Sequence, residues 1–203
     1  MMSAGLAFET AGAARAGAGL VGPNAVIQLA EALRPVPGAA ERVFARAGFS
    51  RLLRQLPDAM IDETIPARLF EALWRDLPPA EAASIAHEAG LRTGAYVLAN
   101  RIPAFARVLL RALPRRLAAF LLLKAIHKNA WTFAGSGLCR VASGDPAFVT
   151  IIGNPLVMPG GAWHIGVFEA LFRALVTRKV RVHHETTEVD GQPACRFRID
   201  LSA

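Results

Sequence analysis

KVRVHHETTEVDGQPACRFRIDLSA, Lys179 to Ala203, decides the fold. Two runs of alternating character flank Asp190-Gly191, a dipeptide suited to a two-residue hairpin turn. A turn there sets Val182 opposite Ile199, His184 opposite Phe197 and Thr186 opposite Cys195. Side chains alternate along a strand, so these six share one face, and Arg181, His183, Arg196 and Arg198 share the other. The stretch predicts a hairpin with one face turned to a core. Upstream, WTFA (131–134), LCRVA (138–142) and FVTII (148–152) also read as strands, divided by Gly-Ser-Gly and Ser-Gly-Asp-Pro turns. Between these strands and the hairpin a helix is expected over about 161–177.

The first two thirds of the chain read as helical. Helices are expected over 23–33, 38–48, 63–77 and 79–100, and over 103–128 with a break or kink at Pro114. The fold class is therefore α+β, with N-terminal helices packed on a C-terminal antiparallel sheet. Residues 1–22 are rich in Ala and Gly and lack a basic stretch before an apolar core. They read as a flexible tail rather than a signal peptide. Residues 23–203 read as a single domain.

The chain has 203 residues, 53% hydrophobic and 19% charged, with a formal net charge of +7. This composition suits a folded domain. The positive balance suits nucleic acid, a membrane surface or an anionic small molecule. Arginine is spread through most segments and aromatics do not interleave with it, so nucleic acid is not the expected partner. Two cysteines do not make a disulfide framework, which points to a reducing, cytoplasmic setting. LAAFLLL (117–123) is too short to span a bilayer. The uncharged run 146–163 is interrupted by Gly-Asn-Pro and Pro-Gly-Gly, which break a helix. Contact with a membrane surface stays compatible with the sequence, as does a homodimer.

Motifs of catalysis are scarce. Gly17 to Gly22 matches G-x-G-x-x-G, but AGAARA before it has no strand character. No P-loop, zinc-protease motif or nucleophile elbow is present, and two cysteines cannot hold an all-thiolate iron–sulfur cluster. Catalytic residues stay unassigned. Cys195 and His184 share the inward face of the hairpin, two ligands where a closed zinc site wants four, so no metal site is assigned.

GNPLVMPGGAWH, Gly153 to His164, carries no charge although it joins a strand to a helix. At about 100° per residue, His164 falls with Phe168, Leu171 and Leu175, and Trp163 flanks them with Val167. His164 then points inward at the start of its helix. It is either a core histidine bonded to a strand carbonyl or a ligand-facing imidazole at the mouth of an apolar pocket. In the second case Asn154, Pro155 and Met158 line that pocket. Gly90 and Gly94 lie on a stripe of small residues along the helix 79–100. Such a stripe marks close approach of a neighbouring element, or room for a flat ligand. His127 and Lys128 end a helix, where the dipole favours cations; they could also meet carboxylates of an acidic guest.

TGAYVLANRIP (93–103), AWTFAGSG (130–137), GNPL (153–156), WHIGVFEALFRALV (163–176) and ACRFRI (194–199) resemble the bacteriochlorophyll 4-vinyl reductase proteins of photosynthetic bacteria. The likeness covers about 93–201. It implies the 4-vinyl reductase domain, a small-molecule-binding module similar in fold to trafficking-complex subunits that hold an acyl chain. It also implies a role in bacteriochlorophyll synthesis, acting on or holding a magnesium porphyrin. Many such domains carry a cysteine pair in the last hairpin; here Thr187 stands at the first position and only Cys195 remains.

Reducing a vinyl group needs a hydride or electron source, and cofactors carry that chemistry. With no convincing cofactor loop in the sequence, the expectation is a carrier or assembly factor. It would bind the tetrapyrrole and deliver it to the enzymes of the pathway, in the cytoplasm or at the surface of the photosynthetic membrane. A vinyl reductase, as the family name implies, and a lipid-binding adaptor are the alternatives. On the carrier reading the magnesium porphyrin is a ligand and there is no intrinsic cofactor. His164 is then a candidate axial ligand, Trp131 and Trp163 lie close enough to be quenched, and Arg101 or Lys128 could pair with propionates.

Overall fold

The computed structural model describes residues 19–202. Among these, six strands and seven α-helices follow in the order β1 (Leu20–Val21), α1 (Asn24–Leu33), α2 (Ala39–Ala47), β2 (Ile61–Asp62), α3 (Thr64–Asp76), α4 (Pro79–Asn100), α5 (Ala104–Ala112), α6 (Arg115–Lys128), β3 (Leu138–Ala142), β4 (Ala147–Ile152), α7 (Ala162–Leu175), β5 (Arg181–Val189) and β6 (Gln192–Asp200). Helices and an antiparallel sheet therefore occupy the expected parts of the chain. The expected break at Pro114 separates α5 from α6. Of the stretch read as a tail, Leu20–Val21 form β1 and pair with β2. Residues 1–18, including the start of the G-x-G-x-x-G match, lie outside the described residues.

The main sheet has the order β3-β4-β6-β5, antiparallel throughout. The hairpin register is the predicted one: Val182 pairs with Ile199, His184 with Phe197 and Thr186 with Cys195. Asp190 and Gly191 both have positive φ, 52° and 74°, as a type I′ turn requires. The inward face continues across β4, where Val149 pairs with Phe197 and Ile151 with Cys195, all four buried. Arg181, His183 and Arg198 point outward and are exposed.

Helix α7 joins the two parts of the molecule. It packs along α4 and also reaches β5. Three glycines permit the α4–α7 approach. A Cβ on Gly90 would overlap the Trp163 carbonyl, one on Gly94 would overlap the Ala170 side chain, and one on Gly166 would overlap the His87 carbonyl. Side-chain-free surfaces let the two backbones come together. Glu169 bridges the same interface. It bonds to His87 Nε2 at 3.1 Å and to Arg173 at 3.3 Å. Beneath α7, Phe168, Phe172 and Phe197 are fully buried. Each such ring contributes roughly 1.5–3 kcal/mol through apolar burial.

One expected strand is absent. Residues 130–132 form a 3-10 turn that closes α6. Asn129 N–H donates to Ala125 and Ile126, and Ala134 N–H donates to Ala130 at 2.7 Å. The 131–134 stretch finds no partner strand. The Thr132 carbonyl accepts instead from Gly22 N–H at 2.7 Å.

Candidate functional site

Two consecutive glycines aim the start of α7. Gly160 and Gly161 have φ of 67° and 60°, a left-handed conformation that suits glycine. A Cβ at Gly161 would press within 2.8 Å of the His184 and Phe197 rings. The turn thus lowers the next residues onto the hairpin. Trp163 and His164 are 2% and 1% exposed.

A group of rings surrounds the His164 imidazole. Its centroid lies 4.9 Å from Trp163, 5.2 Å from Phe197, 6.3 Å from Phe168 and 6.4 Å from Phe133. His184 packs on Phe197 at 5.2 Å, so two imidazoles share one phenyl ring as neighbour. The polar atoms in this cluster are not satisfied. Both nitrogens of His164, Nε1 of Trp163 and Nε2 of His184 are buried without a hydrogen-bond partner. The carbonyl of Phe133 lies near His164 and favours its protonated form, without meeting hydrogen-bond geometry. Buried polar groups are nearly always paired, and each one left alone costs about 1–3 kcal/mol.

Burial above all, with the neighbouring His184 adding to it and the Phe133 carbonyl opposing, holds the His164 pKa down at about 3. Burial also lowers the His184 pKa, against the pull of Glu185. Near neutral pH the His164 ring is therefore uncharged, with a lone pair that no protein donor uses.

Trp163 and Phe168 lie beside His164, and all three are buried, as is Met158. Phe133, Trp163 and Phe197 stand around the His164 ring, which is itself buried. The loop is apolar because Leu156 and Met158 plug the core beneath it, at 1% and 4% exposure. Asn154 is turned to its own loop, its Oδ1 accepting from Leu156 N–H at 3.0 Å. Pro155 is half-buried beside the Gly135 turn. Gly90 and Gly94 offer no room for a ligand, since α7 occupies it. Trp131 is 49% exposed on the 3-10 turn. Arg101 and Lys128 are exposed and His127 half-buried, at the ends of α4 and α6 and outside the ring cluster. Among the described residues no three His, Cys, Asp or Glu side chains gather in a metal-binding group.

Phe133, Phe197 and His184 belong to the cluster but are not among the predicted ligand residues. The hairpin register already puts Phe197 and His184 on the inward face. Phe133 is hidden in the sequence by its strand-like surroundings.

The arrangement defines a class: an α+β domain with a buried imidazole among aromatic rings. Solved structures share its fold. The chain is similar to a point mutant of the T. Tengcongensis H-NOX protein, with TM-score 0.55, 14% identity and coverage of 88% of this chain and 96% of that one. It is also similar to a structure from work on heme distortion in the H-NOX family, with TM-score 0.56, 12% identity and coverage of 89% and 95%. No protein-family model matches. Two curated relatives are much nearer in sequence, and both are called the bacteriochlorophyll synthase 23 kDa chain. The one from Cereibacter sphaeroides is 46% identical over 187 residues, 88% of this chain and 89% of the relative. The one from Rhodobacter capsulatus is 40% identical over 190 residues, 87% and 85%. The chain belongs to the bacteriochlorophyll synthase 23 kDa chain family.

Proposed function

We propose that this protein binds a magnesium tetrapyrrole of bacteriochlorophyll synthesis at the His164 cluster and passes it to the enzymes of that pathway. The observation that carries this reading is the His164 imidazole, neutral, buried and unpartnered at both nitrogens. The names of the curated relatives support the pathway. Structures that share the fold are described by their heme and its porphyrin distortion, which supports the ligand class.

The donor set suits such a guest. The neutral His164 imidazole would supply a nitrogen donor to the ring's magnesium, although magnesium generally prefers oxygen. The faces of Phe168 and Phe197 suit a flat apolar macrocycle. Admission requires the Phe133 ring to move, because it packs on both His164 and Phe168. Phe133 is half-buried on the connection between α6 and β3, so it can swing without unpacking a helix. The protein's part is to exclude water, orient the ring and hold it; bound magnesium porphyrin supplies the acceptor for the imidazole lone pair.

Magnesium protoporphyrin IX added to the purified protein tests this. The expected result is a shifted Soret band with quenching of tryptophan emission at micromolar concentrations. His164→Ala should alter the band position and weaken binding by about tenfold, a loss of ~1.4 kcal/mol in the range of one buried partner. Phe133→Ala should speed association. A Soret band unmoved by the protein overturns the proposal. Reduction of a divinyl substrate by the purified chain with a nicotinamide donor would replace the carrier reading with the reductase one.

A further inference from the structure

We propose that the outward face of α5 docks this protein in the plane of an anionic phospholipid bilayer. The inference is independent of the tetrapyrrole reading. It starts from an inverted helix. A surface helix ordinarily turns its large apolar residues to the core. Here Phe105, Val108 and Leu109 are 75%, 66% and 55% exposed. Their i, i+3, i+4 spacing sets them on one stripe. No residue of α5 is buried.

The helix is nonetheless fastened to the body by its other side. Leu110 packs against the core, and Arg111 Nε donates to the Ala174 carbonyl at the end of α7, at 2.9 Å. The apolar face is thus presented outward by a fixed helix. The next helix, α6, touches α5 and leaves Leu117 and Leu121 exposed at 44% and 37%.

Charge chooses the occupant. From Ala89 to Gly144 the chain has nine Lys and Arg and no Asp or Glu. The rest of the chain has fourteen basic and sixteen acidic residues. The entire positive excess therefore lies in the segment that holds α5 and α6. Among the described residues Arg101, Arg107, Arg116, Lys124 and Lys128 have no acidic partner. An exposed apolar stripe in a chain segment rich in unpaired cations matches a membrane-surface helix, which buries its apolar side at the acyl boundary. Long basic side chains can meanwhile reach the headgroups. The match is to lying on a bilayer. At nine residues α5 is far too short to cross one, and among the described residues no helix is long and apolar enough to do so.

Co-sedimentation of the full chain with vesicles tests the assignment, comparing phosphatidylglycerol–phosphatidylcholine mixtures with pure phosphatidylcholine. The expected result is at least about tenfold stronger binding to the anionic vesicles, largely lost in roughly 0.5 M salt. The triple variant Phe105→Ser, Val108→Ser, Leu109→Ser should bind at least about tenfold more weakly with an unchanged thermal midpoint, since these side chains are exposed. A second variant, Arg116→Glu with Lys124→Glu, should lose the preference for anionic lipid. Equal binding to both vesicle types overturns the proposal, and so does undiminished binding by the triple variant. A dimer that the triple variant abolishes, without vesicle binding by the wild-type chain, also overturns it and assigns the face to a second copy.

Discussion

His164 is uncharged in the folded protein and ordinary in the unfolded one, and that difference is measurable. The free ring titrates near 6.5; burial has pushed the folded value down to about 3. Between those values the unfolded chain binds a proton that the folded chain refuses. Stability from this ring is therefore complete above about pH 6.5 and falls as the pH drops toward 3, by at most about 1.4 kcal/mol per pH unit. His184, lowered in the same direction, adds to the slope. His164→Phe keeps an aromatic ring among its neighbours and removes the titration. It should flatten the decline in urea midpoint between about pH 6.5 and 4.5 and raise stability at about pH 5. A variant as steep as the wild type would mean the imidazole is already charged or partnered. The helix wheel alone turns this residue inward. Its lack of a partner is not legible, because that depends on Phe133 and His184, which other segments bring into place.

At the scale of elements, the hairpin is legible down to its register because its face pattern and turn chemistry agree. The stretch 131–134 is not. Its aromatic and β-branched alternation has a strand's composition, but Asn129 and Ala130 close a helix first, and four residues without a partner gain no ladder. The glycines of α4 are visible as an anomaly with two explanations, and the α7 backbone decides between them. Alanine in place of glycine inside a helix is ordinarily favourable by about 1 kcal/mol. At Gly90 the sign should reverse, because the new Cβ meets the Trp163 carbonyl, which is backbone and cannot rotate away. Gly90→Ala is expected to lower stability by about 1–3 kcal/mol, the usual cost of overpacking. Urea denaturation measures it, and a stabilised variant would show that α4 and α7 are not in close contact. The shift should also reach the ring cluster, since Trp163 and His164 begin α7.

Across the whole molecule, net charge conceals more than it shows. Arginine is scattered along the sequence, and only the distribution of the acids reveals that the excess belongs to 89–144. The interface between the parts carries a further consequence. Helix α7 packs on α4 and on β5. Glu63, beside β2, accepts from the Ser136 N–H and hydroxyl just before β3, both at 2.7 Å. Neither the helices nor the sheet can therefore lose structure without exposing the other's apolar face. Heat or urea should then unfold the chain in a single step. Far-UV circular dichroism reports mainly on the helices, whereas the emission of Trp163, isolated by Trp74→Phe and Trp131→Phe, reports on the start of α7 between α4 and the His164–Phe197 rings over the sheet. The two signals should share one midpoint. If emission moves at a lower denaturant concentration than ellipticity, the helices and the sheet are separate folding units, and the close α4–α7 contact does not couple them.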